Sequence, residues 1–188
     1  MDSSINTRAI VLAILLLLSL QGVVLYAMGQ PLQSESGVIA LWHGVVKSPE
    51  NSQQISDWYT YSHIIHGFIF YLIFSLLFPK MHPLIRLLFA LGVEMAWEIT
   101  ENTPWLIDHY RKQALAMGYS GDSVLNSISD SAAMLLGYLI AWRMPIIVTL
   151  CIALALEFGV AYSIHDNLTL NILNLVHQFD FIRAWQAS

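Results

Sequence analysis

Residues 94–102, Glu-Met-Ala-Trp-Glu-Ile-Thr-Glu-Asn, close an otherwise apolar run that begins after Pro83. At about 100° per residue on a helix, Glu94, Glu98 and Glu101 lie within a few tens of degrees of one another and form one carboxylate stripe. At bilayer depth each acid costs roughly 2.5–3.5 kcal/mol on insertion scales, so the stripe must turn from lipid toward partners, water or a metal. The nonapeptide therefore calls for a bundle: an apolar helix among other apolar helices, with one face that needs polar neighbours.

Composition leads to the same class. The 188 residues are 56% hydrophobic and 11% charged, whereas a soluble domain carries about a quarter charged residues. An all-α, polytopic membrane helix bundle is expected, one integral-membrane domain over residues 1–188. Its five spans fall at about 9–28, 58–78, 84–102, 123–142 and 145–164, with an outer loop over 29–57. A signal peptide competes for the first run, because Arg8 precedes it and Ala27-Met28-Gly29 has a cleavable look. The run is longer than an h-region of about 7–15 residues, which favours a retained span. The joints at 79–83 and 143–145 are short enough to make the helices on either side antiparallel neighbours.

Two segments suit the membrane surface. The apolar island Val38 to Val46 is too short to cross and belongs at the interface or over the mouth of the bundle. The tail, 166–186, places Leu168, Ile172, Leu175, Val176, Phe179 and Ile182 on one stripe, an amphipathic interfacial helix anchored by Trp185. Basic residues set the orientation. Arg8, Lys80, Arg86 and Arg143 sit in short, acid-poor segments, whereas Lys47, Arg111, Lys112 and Arg183 are diluted among acids, so the N-terminus is expected in the cytoplasm and the C-terminus outside. A net charge of −5 with scattered basic residues argues against a nucleic-acid partner. Cys151, the one cysteine, can form no internal disulfide and reads as a small core hydrophobe.

Depth then gathers the polar residues. His63 and His66 begin the second span, Glu94, Glu98 and Glu101 end the third, and Asp122, Asn126, Ser129 and Asp130 begin the fourth. Alternating helix direction puts all of them at one membrane face, whichever face that is. On their helices His63 and His66 are about 60° apart, with Gly67 beside them, while Asp122, Asn126, Ser129 and Asp130 share a stripe with Gly137, where small residues allow close approach. Taken singly, each has a plainer reading: either His as a helix–helix hydrogen bonder, Asp122 as a helix N-cap. Taken together they lack basic partners and need protons or a metal.

The segments Trp42-His43-Gly44, Asp57-Trp58-Tyr59, Ser62-His63-Ile64-Ile65-His66-Gly67, Trp97-Glu98-Ile99-Thr100-Glu101-Asn102-Thr103-Pro104 and Gly118-Tyr119-Ser120-Gly121-Asp122-Ser123-Val124-Leu125-Asn126-Ser127 carry a resemblance. Over about residues 40–145 the chain resembles an uncharacterised family of bacterial multi-pass membrane proteins, which implies an inner-membrane location and no particular reaction. A fainter likeness, an acid-rich helix followed by one opening with Asp and Asn, is to the VanZ-like membrane proteins.

Three functions fit these residues. The first is a metal-dependent membrane hydrolase acting on a lipid or lipid-linked headgroup at the outer face. Its metal, Zn or another divalent transition ion, would draw on His63, His66, Glu94, Glu98, Glu101, Asp122 and Asp130, with Glu98, Glu101, His63 and Asp122 as catalytic candidates and Asn102, Asn126 and Ser129 as polar support. The spacing matches no metalloenzyme signature such as His-Glu-x-x-His. The second is a structural or partner-binding role for a buried polar network, and the third a proton or cation conduit, which would need an oligomer and a polar relay through the inner halves of the spans.

Overall fold

The computed structural model describes residues 6–113, 115, 116 and 118–187. Among these residues the chain is all helical: α1 (Thr7–Ala27), α2 (Thr60–Leu77), α3 (Pro83–Glu101), α4 (Pro104–Tyr110), α5 (Val124–Arg143), α6 (Ile146–Ile164), α7 (Leu168–Val176) and α8 (Asp180–Gln186). Helix ends follow local chemistry. The Asn6 side chain accepts the N–H groups of Arg8 and Ala9 to open α1, Pro83 occupies the first position of α3, and the Ser123 hydroxyl accepts the Asn126 N–H at the start of α5, each meeting donors that the first helical turn leaves unpaired.

Burial is inverted relative to a protein in water. Gln21, His63, Glu94, Glu98, Asn126, Ser127, Asp130 and Ser131 are buried, while Leu16, Val23, Leu76, Leu77, Ile146, Ile147, Leu154 and Phe158 are exposed. Continuous apolar surface of this kind is expected against lipid. Four helices, α1, α2, α5 and α6, are long and apolar enough to cross a membrane. Helix α3 has 19 residues, close to their length, and with Arg86, Glu94, Glu98 and Glu101 it carries the most charged residues of the long helices. It runs against α1, α2 and α5.

Helices α2 and α5 form the tightest pair. A methyl group added at Gly137 would run into the Ile64 carbonyl oxygen, and one added at Gly67 would strike the Met134 carbonyl oxygen and the Tyr138 nitrogen. The missing side chains bring the two backbones together, the way small residues serve helix pairs in membranes. This crossing sets His63 and His66 beside α3. In the opposite half of the bundle Leu87, Ala90, Leu91, Met134 and Tyr138 pack into an apolar core, and α6 closes over Ile65, Phe68 and Ala141.

Three features depart from expectation. Cys151, read as a core residue, is exposed on α6. Helix α4 follows α3 directly, started by Thr103-Pro104. The tail is two short helices instead of one. The backbone is extended at His177, with φ −157°, so Ile182 is buried while Ile172 and Val176 stay exposed. Fixed points hold that bend: Glu157 accepts the N–H groups of Leu168 and Thr169, the Asn174 carbonyl oxygen lies 3.0 Å from His109 Nε2, and Gln178 reaches the His109 carbonyl. Ahead of α7, buried Asp166 accepts hydrogen bonds from the Tyr59 hydroxyl and the Asn171 amide, both at 3.2 Å.

Gly137→Ala should lower the thermal unfolding midpoint in detergent by several degrees, since overpacking costs about 1–3 kcal/mol. Gly92→Ala, where an added methyl meets nothing within 4 Å, should leave it unchanged. Burial pushes the Asp166 carboxyl from 3.8 up to about 6, against hydrogen bonds from Asn167, Tyr59 and Asn171. Between those values the folded chain holds more protons at this site than the unfolded one, so this contribution to stability falls as pH rises from about 4 to 6 and is level above. Unfolding midpoints across pH 4–8 should lose that component in Asp166→Asn.

Candidate metal centre

His63 stands in the first turns of α2, buried where α2, α3 and α5 meet. Its Nδ1 lies 2.6 Å from Glu94 Oε1 and 3.2 Å from Glu98 Oε1, and its Nε2 lies 3.8 Å from Asp130 Oδ2. One turn on, His66 Nδ1 lies 3.1 Å from Glu94 Oε2. The i, i+3 spacing of the imidazoles and the i, i+4 spacing of Glu94 and Glu98 place two residues of each helix on the facing surfaces. Glu94 is wholly inaccessible, and the most open imidazole is that of His66, with 15% of its side chain exposed. Its ring sits between Phe70 and Trp97, with centroids 5.8 and 6.4 Å away, so this edge of the cluster has aromatic walls.

Surrounding residues fix the carboxylates. Asp130 Oδ1 accepts the Thr60 hydroxyl at 2.8 Å. Glu98 Oε2 accepts the Ser127 hydroxyl at 2.6 Å, and Gln21 of α1 donates to the Ser127 hydroxyl oxygen at 2.8 Å while accepting from Ser131 at 2.9 Å. The other Glu98 oxygen, Oε1, is buried without a hydrogen-bond donor. A buried polar atom left unmet in a low-dielectric site costs free energy that a bound cation would recover.

Two groups bring potential ligand atoms within 4.8 Å of one another: His63, His66 and Glu94, and His63, Glu98 and Glu101. Asp122 and Asp130 belong to neither group. Asp130 faces the opposite ring nitrogen of His63. Asp122 is taken up elsewhere: its Oδ2 accepts the Asn102 amide at 2.8 Å, its Oδ1 accepts the Tyr119 hydroxyl at 2.8 Å, and its N–H donates to Asn102 Oδ1 at 2.7 Å. Burial pushes the Asp122 carboxyl up to about 6 against those two side-chain hydrogen bonds. The reciprocal pair ties the end of α3 to the start of α5. Ser129 hydrogen-bonds its own helix at the Leu125 carbonyl. Glu101 is met by the Tyr110 hydroxyl of α4, whose acidity burial and the Glu101 charge both weaken.

Over this end of the bundle lies a polar strap. Asn126 donates to the Gln54 carbonyl, Ser123 to the Gln53 carbonyl, and Gln53 to the Gly121 carbonyl. Gly121 has φ +97°, and a Cβ there would meet the Gln30 and Asn102 side chains. Asp57, buried, accepts the N–H groups of Ser52 and Tyr59; burial raises its carboxyl and these donors oppose the rise. The Val38–Val46 island is layered outside the strap through His43–Ser56 and Ile55–Ala40 backbone bonds, with Val38, Ile39, Leu41 and Val45 exposed. Sequence reading passed over Gln21, Thr60, Ser127 and Asp57. Gln21 carried a usable signal, since a polar amide inside an apolar run needs a partner in the bundle.

Comparison with known proteins gives one family. The model described as "Protein of unknown function (DUF2585)" matches residues 25–188. A UPF0314 protein of Sphingopyxis alaskensis is 50% identical over 171 residues, covering 91% of each chain. One of Rhizobium meliloti is 50% identical over 176 residues, 94% of this chain and 89% of the relative, and one of Sinorhizobium fredii is 51% identical over 162 residues, 86% and 82%. No solved structure matches. The likeness to VanZ-like proteins finds no support in these matches.

Asn102→Ala would leave Asp122 Oδ2 and the Asp122 N–H without their partners. The unfolding midpoint in detergent should fall by an amount corresponding to about 1–3 kcal/mol, and Asn102→Asp, which puts a second carboxylate beside Asp122, should cost at least as much.

Proposed function

The chain belongs to the DUF2585 family, and we propose that it is a five-span inner-membrane protein whose buried His/carboxylate cluster holds a divalent transition metal for hydrolysis of a lipid or lipid-linked headgroup. The observation that carries the metal is the orphaned Glu98 Oε1, 3.2 Å from a histidine nitrogen that already faces Glu94. His63, His66 and Glu94, with Glu98 Oε1 as a further donor beside the same His63 nitrogen, make an imidazole and carboxylate set that suits Zn or non-haem iron. Ligands around a tetrahedral Zn stand about 3.4 Å apart, so the 2.6 and 3.1 Å contacts to Glu94 need open by less than 1 Å to admit an ion. Asp130, held by Thr60, lies 3.8 Å from the far nitrogen of His63, and on closing to hydrogen-bond distance it would serve as the carboxylate that orients a metal-bound imidazole. Bound there, the ion would polarise a phosphoryl or carbonyl oxygen and supply hydroxide.

Glu101, half-buried and near Glu98, stands where a base would take a proton from water. The aromatic-walled edge at His66 gives a lipid a lateral approach between α2 and α3. The length of α3 and its contacts with α1, α2 and α5 support reading it as a fifth span, and the distribution of basic residues supports a cytoplasmic N-terminus. A conduit is disfavoured by the apolar layer of Leu87, Ala90, Leu91, Met134 and Tyr138 beyond the cluster. A purely structural network would account for the Gln21–Ser127–Glu98 chain, and the same experiment separates it.

Elemental analysis of untagged protein in mild detergent should find about one transition-metal ion per chain. His63→Ala and Glu98→Gln should lower occupancy at least ten-fold in folded protein, while Ser129→Ala should keep it. Metal-free wild type that remains folded contradicts the metal. Full occupancy with no metal-dependent product from a bacterial lipid extract contradicts the hydrolase.

A further inference from the structure

Away from the cluster, a cavity of about 100 Å3 opens between the segment after α4 and the tail helices, lined by Lys112, Gln113, Asn174, Gln178, Asp180 and Arg183 among others. That is room for several waters or for a tetrahedral oxyanion. Its charge is biased. Lys112 and Arg183 make no ion pair among the described residues, and Asp180 is the one carboxylate among these lining residues. Gln113 is 6% exposed, and its amide nitrogen, a donor, is buried without an acceptor. Two cations and an unmet donor around one small space specify an anionic, acceptor-only guest.

The surroundings narrow its source. Ile172 and Val176 on α7 and Phe181 on α8 are exposed, at 51%, 83% and 67%. Apolar residues flanking a polar pocket on short amphipathic helices belong at headgroup depth. There a phosphate is the commonest oxyanion, and Arg with Lys is the usual means of binding it.

We propose that Lys112, Gln113 and Arg183 form a phosphate-binding pocket at the membrane surface, taking either the phosphodiester of a lipid headgroup or free phosphate. The pocket shares no residue with the metal cluster, and its test is run on chelator-treated protein so that the two are read separately. The full chain in a maltoside detergent is titrated with inorganic phosphate by calorimetry. By native mass spectrometry it is also titrated with short-chain phosphatidylglycerol and with the diacylglycerol of the same chains. Wild type should bind at least one of the two phosphate-bearing probes, and any binding of phosphatidylglycerol should exceed that of diacylglycerol. Lys112→Gln with Arg183→Gln should weaken binding at least ten-fold, Gln113→Leu at least three-fold, and Asp180→Asn should tighten it. Binding of phosphatidylglycerol without inorganic phosphate identifies a lipid headgroup as the source, and binding of both identifies the phosphate group itself. No binding of either, equal binding of diacylglycerol, or affinities untouched by the double variant and by Gln113→Leu would overturn the proposal.

Discussion

An imidazole shared by three helices organises this bundle. His63 arrives on α2, faces Glu94 and Glu98 of α3 through one nitrogen and Asp130 of α5 through the other. In a low-dielectric interior no one of these groups is tolerable alone, and each is made tolerable by the others. The glycine contacts of α2 with α5 are what permit the meeting, because Gly67 and Gly137 remove the side chains that would hold those backbones apart. Gln21 brings α1 into the same arrangement through Ser127 and Ser131.

Around this centre the structure is graded. One half of the bundle is an apolar core, and the other is polar and closed by a strap in which carboxamides and a hydroxyl donate to backbone carbonyls more than sixty residues away in sequence. Asp122 and Asn102 form the hinge pin of that closure. Its oxygens are met by the Asn102 amide and the Tyr119 hydroxyl and its N–H by Asn102, whereas Glu94 and Glu98 face His63, which separates Asp122 from them although it lies at similar depth.

Much of this was legible in the chain. Apolar runs gave the long helices, and the spacing of Glu94, Glu98, His63 and His66 gave the surfaces that meet, because helical periodicity converts sequence distance directly into facing. What depended on tertiary hydrogen bonding was hidden. Asp122 and Glu98 are equally acidic by composition, and only the Asn102 and Tyr119 partners distinguish their roles. Asp130 sits on the expected stripe, yet it faces the far nitrogen of His63, a matter of rotation that depth alone does not resolve. The tail shows a continuous amphipathic stripe, and its break at His177–Phe179 comes from anchors at Glu157 and His109 that are remote in sequence. Gln113 gave no signal, since an amide in a polar loop is ordinary until it is buried.

X-ray absorption at the metal edge, on protein loaded with Zn and washed free of excess, reads the ligands of the His63 cluster directly. A first shell of nitrogen and oxygen at about 2.0–2.2 Å with the outer-shell scattering of two imidazoles is expected, falling to one imidazole in His66→Ala. A shell of oxygen alone, or an imidazole count unchanged by that substitution, would contradict a metal held at that cluster.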